Sequence, residues 1–447
     1  MDVMKIYDRL PVPAQDLACS LKGAQIRRNR YGRAFSYYLQ QYEERGSWSY
    51  DRLCEYRDRR LRRLMKHCYD TVPYYRKMFD SLGIDYRQIR RLEDLQRLPV
   101  LDKQTVNENY QDFITTAKPR SKIITSHTSG TTGSGFVFCT THNVLSEQWA
   151  VWWRYRKKLG ISFDTWCALF GSKGIVPVER KKPPFSRFNL PCRQEYFSSF
   201  HMNDTNIRWY AEEIIRRKHT WIHGYPSAVN LLADYILAHD DLQIRDVRYV
   251  TTGAENLLPV QRERIRQAFG VEPRSHYGLA EGVANFSEDP DGAMFVDEDF
   301  AAVEFLDIPG QKGKEIVGTS LSNYVMPLIR YRTHDIAEYR VTDRGRQILS
   351  LDGRQEDYVT LPDGCLLGSL DQIFRDMLHI KEAQIRQKDL RHIELHVVRG
   401  DHYTKDDEEQ LLREAKLWLI GMEIRIVYTD KIPRTQNGKL RFVVSEL

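Results

Sequence analysis

Apolar and polar positions divide the chain into stretches of different period. Residues 1–120 are rich in charge, and Leu53, Tyr56, Leu61 and Leu64 within Ser49–Tyr69 fall near helical spacing, which predicts an amphipathic helix. The step Val72-Pro73 interrupts it, because a proline ring disfavours helix at the preceding residue. From Lys122 onward, short apolar runs alternate with helical patterns. Lys122–Ser126 and Phe136–Thr140 predict two strands, and a helix is expected from about Thr141 to Leu159. Further strands are expected at 166–170, 220–223, 247–252 and 273–277, with helices at 204–218, 226–239 and 258–269. Pro226 and Pro259 stand near two helix starts, where a missing N–H costs little. This alternation predicts an α/β sheet with helical crossovers. Residues 294–350 turn strand-rich. Beyond Gly353, a helix at 369–378, strands at 380–387 and 392–398, a helix at 405–420 and a strand at 423–428 predict a small α+β domain. The expected organisation is a large N-terminal domain, 1–352, a hinge at 353–357 and a C-terminal domain, 358–447.

A length of 447 residues is enough for two or three domains and a sizeable core. Apolar residues at 41% and charged residues at 29% are ordinary for a soluble protein, and no run reaches the ~20 apolar residues of a membrane helix. Met1–Leu21 carries charge throughout and lacks a signal-peptide core, so a cytoplasmic location is expected. Seven cysteines with no C-x-x-C pair argue against a disulfide framework and a sequence-local zinc site. The net charge of +6 is mild, and clusters such as Arg57–Arg63 and Arg180–Lys182 are expected to be solvated faces, so no nucleic-acid partner is expected.

The candidate chemistry begins at His127–Gly135, where three glycines stand among five hydroxyl residues. Glycines let backbone N–H groups approach an anion, and hydroxyls add donors, which suits nucleotide phosphates. Neither common phosphate motif fits. Gly130-x-x-x-x-Gly135 has Phe136 where a Walker A loop needs lysine, and the third glycine of a dinucleotide fingerprint would fall on Phe138.

Six segments in order carry a resemblance. They are Thr128–Gly133, Thr252-Gly253-Ala254-Glu255, Tyr277-Gly278-Leu279-Ala280-Glu281, Tyr331–Asp335, Gly353–Asp357 and Pro433–Lys439. Together they resemble the signatures of the adenylate-forming superfamily of acyl-CoA synthetases, luciferases and peptide synthetase adenylation domains. The short length, Tyr225-Pro226-Ser227 and the T-G-A-E loop look like the phenylacetate–CoA ligase branch. Tyr277–Phe305, with Asp297–Glu304, looks like members associated with capsular and other surface-polysaccharide biosynthesis.

The resemblance implies an α/β fold, a large multi-sheet N-terminal domain with a small α+β C-terminal domain, and ATP-dependent adenylation of a carboxylic acid. It implies ATP and Mg²⁺ as cofactors and CoA as a candidate acceptor. Ser129, Gly130, Thr131, Thr132 and Gly133 would hold phosphates; Gly253, Ala254, Glu255, His276, Tyr277 and Gly278 would border the nucleotide; Glu281 would hold the metal. Asp335 would receive the ribose hydroxyls, Arg354 would lie near ribose or phosphate, and Lys439 would bridge carboxylate and α-phosphate. Tyr225, Ser227 and Gly253 would line the acid site. Trp149, Trp152 and Trp153 are assigned to the core rather than to that site.

Three departures stand out: Ala280 replaces a hydroxyl residue, His334 replaces a glycine, and the lysine often found after the signature loop is absent. Three outcomes stay open at this stage: an acid–CoA ligase, an adenylating transferase or amide ligase acting on a surface-polysaccharide precursor, and a non-catalytic nucleotide-binding relative.

Overall fold

In the computed structural model the described residues are 3–119, 121–128, 136–171, 174–177, 179–309, 312–352, 359–364, 366–367, 370–374, 377, 379–400, 402–433 and 442–447. The N-terminal third is helical. The helix Tyr50–Thr71 starts at Ser49, whose hydroxyl accepts from Arg52 N at 3.4 Å. It stops at Val72, which takes extended geometry before Pro73, and a second helix, Pro73–Leu82, then begins on that proline.

Two strands, β1 (Ile123–Thr128) and β2 (Phe136–Thr141), pair antiparallel, with Thr128 opposite Phe136. The helix His142–Lys158 follows. Next come β3 (Cys167–Gly171), β4 (Ser186–Asn189), β5 (Gln194–Ser198), β6 (Trp221–Gly224), β7 (Tyr249–Thr252) and β8 (Arg274–Gly278). Strands β3, β5, β6, β7 and β8 pair parallel, joined by the helices Ile207–Arg217, Pro226–Leu237 and Pro259–Phe269. The strand-rich region adds β9 (Asn285–Glu288), β10 (Met294–Val296), β11 (Ala301–Asp307), β12 (Lys314–Ser320), β13 (Tyr331–Thr342) and β14 (Gly345–Asp352). These are antiparallel and continue the same ladder to twelve strands.

Strands β4 and β5 lie outside the expected set. Several of their inward positions are polar, Phe197 being the apolar exception on β5: Arg187 is buried against Gln15, and Glu195 is buried between Ser186 and His219. Paired buried charges hide the apolar alternation by which strands are recognised.

The C-terminal residues contribute a short pair, β15 (Val359–Thr360) with β16 (Leu366–Leu367), and a separate four-stranded sheet. That sheet holds β17 (Ile380–Gln387), β18 (His392–Arg399), β19 (Glu423–Tyr428) and β20 (Val443–Ser445), with the helix Lys405–Trp418. The helix expected at 369–378 is, in its described part, only a 3₁₀ turn, Leu370–Phe374. Such a turn places residues three apart on one side, so Leu370 and Ile373 are buried as a helix would bury them.

One core lies between the helix His142–Lys158 and the sheet, and includes Val151, Trp153, Trp221 and Phe286. A second, with Phe170, Ile222, Leu232 and Ile265, covers the opposite face under the crossover helices. Trp153 is buried in the first, and Trp149 and Trp152 pack against it. Among the described residues no helix is long and apolar enough to cross a membrane, and no disulfide joins the six described cysteines.

Candidate active site

Ligands of open α/β sheets gather beyond the carboxyl ends of the strands. Tyr225 follows β6, Gly253 follows β7, and His276, Tyr277 and Gly278 close β8. The glycines are needed for space. A Cβ on Gly253 would come within 2.8 Å of His276 Cε1, and one on Gly278 within 2.8 Å of Asn285 Oδ1 and 3.2 Å of Trp152 Nε1. Ala254 has φ of 67°, a left-handed turn that swings the chain away from β7.

Glu255, on that turn, is buried and points back toward the helix Pro226–Leu237. Its carboxylate accepts from Ser227 N and Ser227 Oγ, each at 3.1 Å. Ser227 lies in the first turn of that helix, where a carboxylate suits both the unsatisfied N–H groups and the helix dipole. Two residues assigned to nucleotide and acid are thus coupled, the first fixing the second. Asn256 then donates to Leu351 O at 3.0 Å, tying this loop to the end of β14 just before the expected hinge.

Asp335 is brought in from β13. Between Arg332, opposite Val317, and Ile336, opposite Glu315, β13 carries extra residues and bulges. His334, with φ of 62°, forms the bulge and faces outward. The glycine usual at this position in the motif suits the left-handed backbone. Thr333 Oγ1 donates to Ile316 O at 2.8 Å and accepts from Asp335 N at 3.1 Å, so the bulge is braced. Asp335 is buried, and Tyr277 Oη donates to its Oδ2 at 2.7 Å. The tyrosine of one motif and the aspartate of another, 58 residues apart, therefore meet directly.

Ser129, Gly130, Thr131, Thr132 and Gly133 lie outside the described residues, as do Arg354, Glu356 and Lys439. The flanks of the glycine-rich loop are described. Phe136 is buried and stacks on Tyr331, at the start of β13, with ring centroids 5.5 Å apart. Phe136, Tyr331 and Val283 share one core, against which Leu279 packs. Glu281 lies in the turn after β8, where Gly282 N donates to Leu279 O at 3.0 Å and Gln148 Nε2 donates to the same oxygen at 2.7 Å. The hairpin stem, the turn bearing Glu281 and the strand bearing Asp335 thus border one region. Carboxylate oxygens there are the hard donors that Mg²⁺ prefers. Among the described residues no cluster of three or more His, Cys, Asp or Glu could hold a metal by itself.

The ring of His276 is enclosed by Trp152 and Tyr155, each with centroids 5.6 Å away. Burial first, and the Arg156 guanidinium second, push its pKa down to about 3, so it is a neutral ring near pH 7. His223 is held well below its ordinary value, again chiefly by burial.

The chain is similar to several known proteins. Protein CapK of Staphylococcus aureus is 22% identical over 457 residues, spanning 99% of both chains. The phenylacetate-coenzyme A ligase of Thermus thermophilus is 24% identical over 88% of this chain and 96% of its own, and that of Pseudomonas putida 28% over 78% and 82%. The chain is homologous to CapK and the phenylacetate-coenzyme A ligases. Residues 362–446 match the family model of the CapK C-terminal domain. Crystal structures of 2-hydroxyisobutyryl-CoA ligase share the fold. The complex with 2-HIB-AMP and CoA in the thioesterification state superposes with a TM-score of 0.55 at 19% identity, covering 87% of this chain and 88% of that one. The postadenylation state gives 0.53 at 18% identity, covering 87% and 89%. The CapK-related chain therefore has the adenylate-forming fold.

Sequence reasoning missed the coupling of Glu255 to Ser227 and the environment of Arg156. Neither has a motif: both depend on side chains brought together by strand order.

Proposed function

We propose that the chain activates a small carboxylic acid with ATP and Mg²⁺, forming an acyl-adenylate and pyrophosphate, and passes the acyl group to a thiol such as CoA. A carboxylate oxygen is a poor leaving group, and AMP is a good one. Because the attacking carboxylate and the triphosphate are both anionic, the work of the site is positioning and charge neutralisation.

The observation that carries the proposal is the contact of Tyr277 with Asp335 at the carboxyl end of β8. It holds an oriented, buried carboxylate that can accept ribose hydroxyls, beside the turn bearing Glu281. Glu281 would hold Mg²⁺, which would neutralise phosphate charge when bound. The loop Ser129–Gly133 would hold the phosphates, with Gly253, Ala254 and Gly278 leaving room for the nucleotide and Tyr225 for the acid. Lys439, on residues that would rotate about the hinge near Glu356, would meet the carboxylate and α-phosphate in the first half-reaction and leave for the second.

A second acceptor, an amine or sugar hydroxyl of a surface-polysaccharide precursor, is favoured by one observation. The family model matched by residues 362–446 is that of CapK. Pyrophosphate release across aryl, fatty and amino acids, with and without CoA, tests both. Acid-dependent release with thioester formation supports the thiol acceptor; acid-dependent release without a thioester supports the other. ATP binding with no pyrophosphate from any acid would sink adenylation altogether. Lys439→Ala should abolish acid-dependent ATP–pyrophosphate exchange yet spare transfer from pre-made acyl-AMP. Exchange retained in that variant would remove Lys439 from the chemistry.

A further inference from the structure

The helix His142–Lys158 runs antiparallel to strands β6–β8. Gln148 bonds Leu279 O beyond the end of β8, Trp152 Nε1 donates to Asn285 Oδ1 at 2.8 Å beside Gly278, and Gly160, just past the helix, meets Tyr249 at the start of β7. Arg156 therefore lies below Trp152, deeper between helix and sheet. It is 5% exposed. Its guanidinium carbon is 5.3 Å from the Trp153 ring centroid, 5.4 Å from Trp221 and 5.6 Å from Trp149.

The Arg156 side chain makes no hydrogen bond or ion pair among the described residues, and its Nε is buried without a partner. A buried guanidinium is normally paired, because desolvating an isolated charge is expensive. Indole faces compensate by only ~0.5–2 kcal/mol each.

The carboxylates bonded around this helix and β9 are paired with other groups. Asp297 and Asp299 bind Arg154, two residues earlier on the same helix. Glu288 binds Arg262 and Ser275 N. From the strands Arg156 is faced by His223 and His276, neutral rings, and by Cys167, whose thiol burial pushes up and keeps protonated; none of them balances its charge. Tyr155 Oη, also buried, lacks a partner too. A second guanidinium, Arg30, stacks 3.7 Å from the Trp149 ring centroid and adds positive potential at Arg156.

We propose that the acid activated here carries a second anionic group, a carboxylate or a phosphate, and that Arg156 determines specificity by receiving it at the floor of the acid site. The inference rests on the adenylation function proposed above. Eight residues of helix separate Arg156 from Gln148, about 12 Å along the axis at 1.5 Å per residue. Helical side chains lean toward the N-terminus, here toward Leu279 and Glu281, which shortens that span. The geometry suits a short or aromatic diacid with one carboxylate reacting above and its partner anion held below.

Thermal stabilisation of the full chain by succinate, glutarate, terephthalate and 4-carboxyphenyl phosphate, each against its monomethyl ester, tests this directly. Dianionic acids should raise the unfolding midpoint at concentrations at least tenfold lower than their half-esters. Terephthalate against 4-carboxyphenyl phosphate separates carboxylate from phosphate. Arg156→Met should abolish the response to diacids while keeping the response to ATP. Half-esters acting as well as diacids, a response that survives Arg156→Met, or no response to any dianionic acid would each overturn the inference. If the methionine variant does not fold, the wild-type comparison of diacid with half-ester decides alone. Failure of the two proposals is distinguishable. Exchange driven equally by monocarboxylates keeps adenylation and removes the role of Arg156. Arg156-dependent diacid binding with no exchange for any acid does the reverse.

Discussion

Tyr277 and Asp335 were both legible in the sequence, but only as members of separate motifs; their hydrogen bond depends on a bulge that no spacing reveals. His276 was legible as a strand-end residue, and its state was not, because that state is set by Trp152, Tyr155 and Arg156 on a distant helix. That state has a measurable consequence. With the pKa of His276 near 3 when folded and about 6.5 when unfolded, the unfolded chain binds more protons throughout the interval between. Stability therefore rises with pH across that window and is lost on acidification, by up to ~1.4 kcal/mol per pH unit for this residue. His223, also depressed, acts in the same direction. Asp297 and Glu288, raised by burial, oppose it above their ordinary carboxylate values. Urea unfolding between about pH 5 and 6.5 should show the loss, and His276→Gln should make it shallower. An unchanged slope in that variant would mean that His276 is solvated.

At the scale of elements, periodicity located the parallel strands and most helices within a few residues. It failed where polar side chains point inward, as in β4 and β5. The same limit applies to Asp297-Glu298-Asp299, a segment that looked like a mark of surface-polysaccharide relatives. Folded, it is a junction. Asp299 binds Arg45 at 2.7 Å and Arg154 at 2.9 Å, and Glu298 binds Arg57 at 2.6 Å and Arg346 at 2.5 Å. One turn between β10 and β11 thereby fastens two N-terminal helices, the helix His142–Lys158 and β14. Such pairs add little over apolar contacts of equal volume, but removing one partner strands the others. Asp299→Ala leaves two buried guanidiniums short of a carboxylate and should cost ~3–5 kcal/mol. Asp307→Ala, whose pair with Lys314 is exposed, should cost less than ~1 kcal/mol. Denaturation midpoints of the two variants check this, and comparable losses would show that the junction does not stabilise the fold through buried charge.

For the whole molecule, the division into a large body and a small C-terminal unit was visible from the change of pattern after Gly353. How the two touch was not, since each contact pairs residues more than 150 positions apart. The described contacts are few. Phe200 lies among the buried residues of the C-terminal core and meets Trp418 edge-on with centroids 5.2 Å apart, and Asn203 Nδ2 donates to Asp363 Oδ2 at 2.8 Å. If the C-terminal unit rotates between half-reactions, as proposed, a contact this small can be broken and remade, whereas a large apolar interface could not. Asn203→Cys with Asp363→Cys, made in a chain whose seven native cysteines are replaced by serine or alanine and joined by a short bismaleimide, would hold the two units in this one arrangement. The crosslinked protein should retain at most one of the two half-reactions, measured as ATP–pyrophosphate exchange and as transfer from pre-made acyl-AMP. Cleaving a reducible version of the linker should restore the other. Full turnover in the crosslinked state would show that rotation about residues 353–357 is not needed, and the catalytic assignment of Lys439 would then require it to serve both steps from one position.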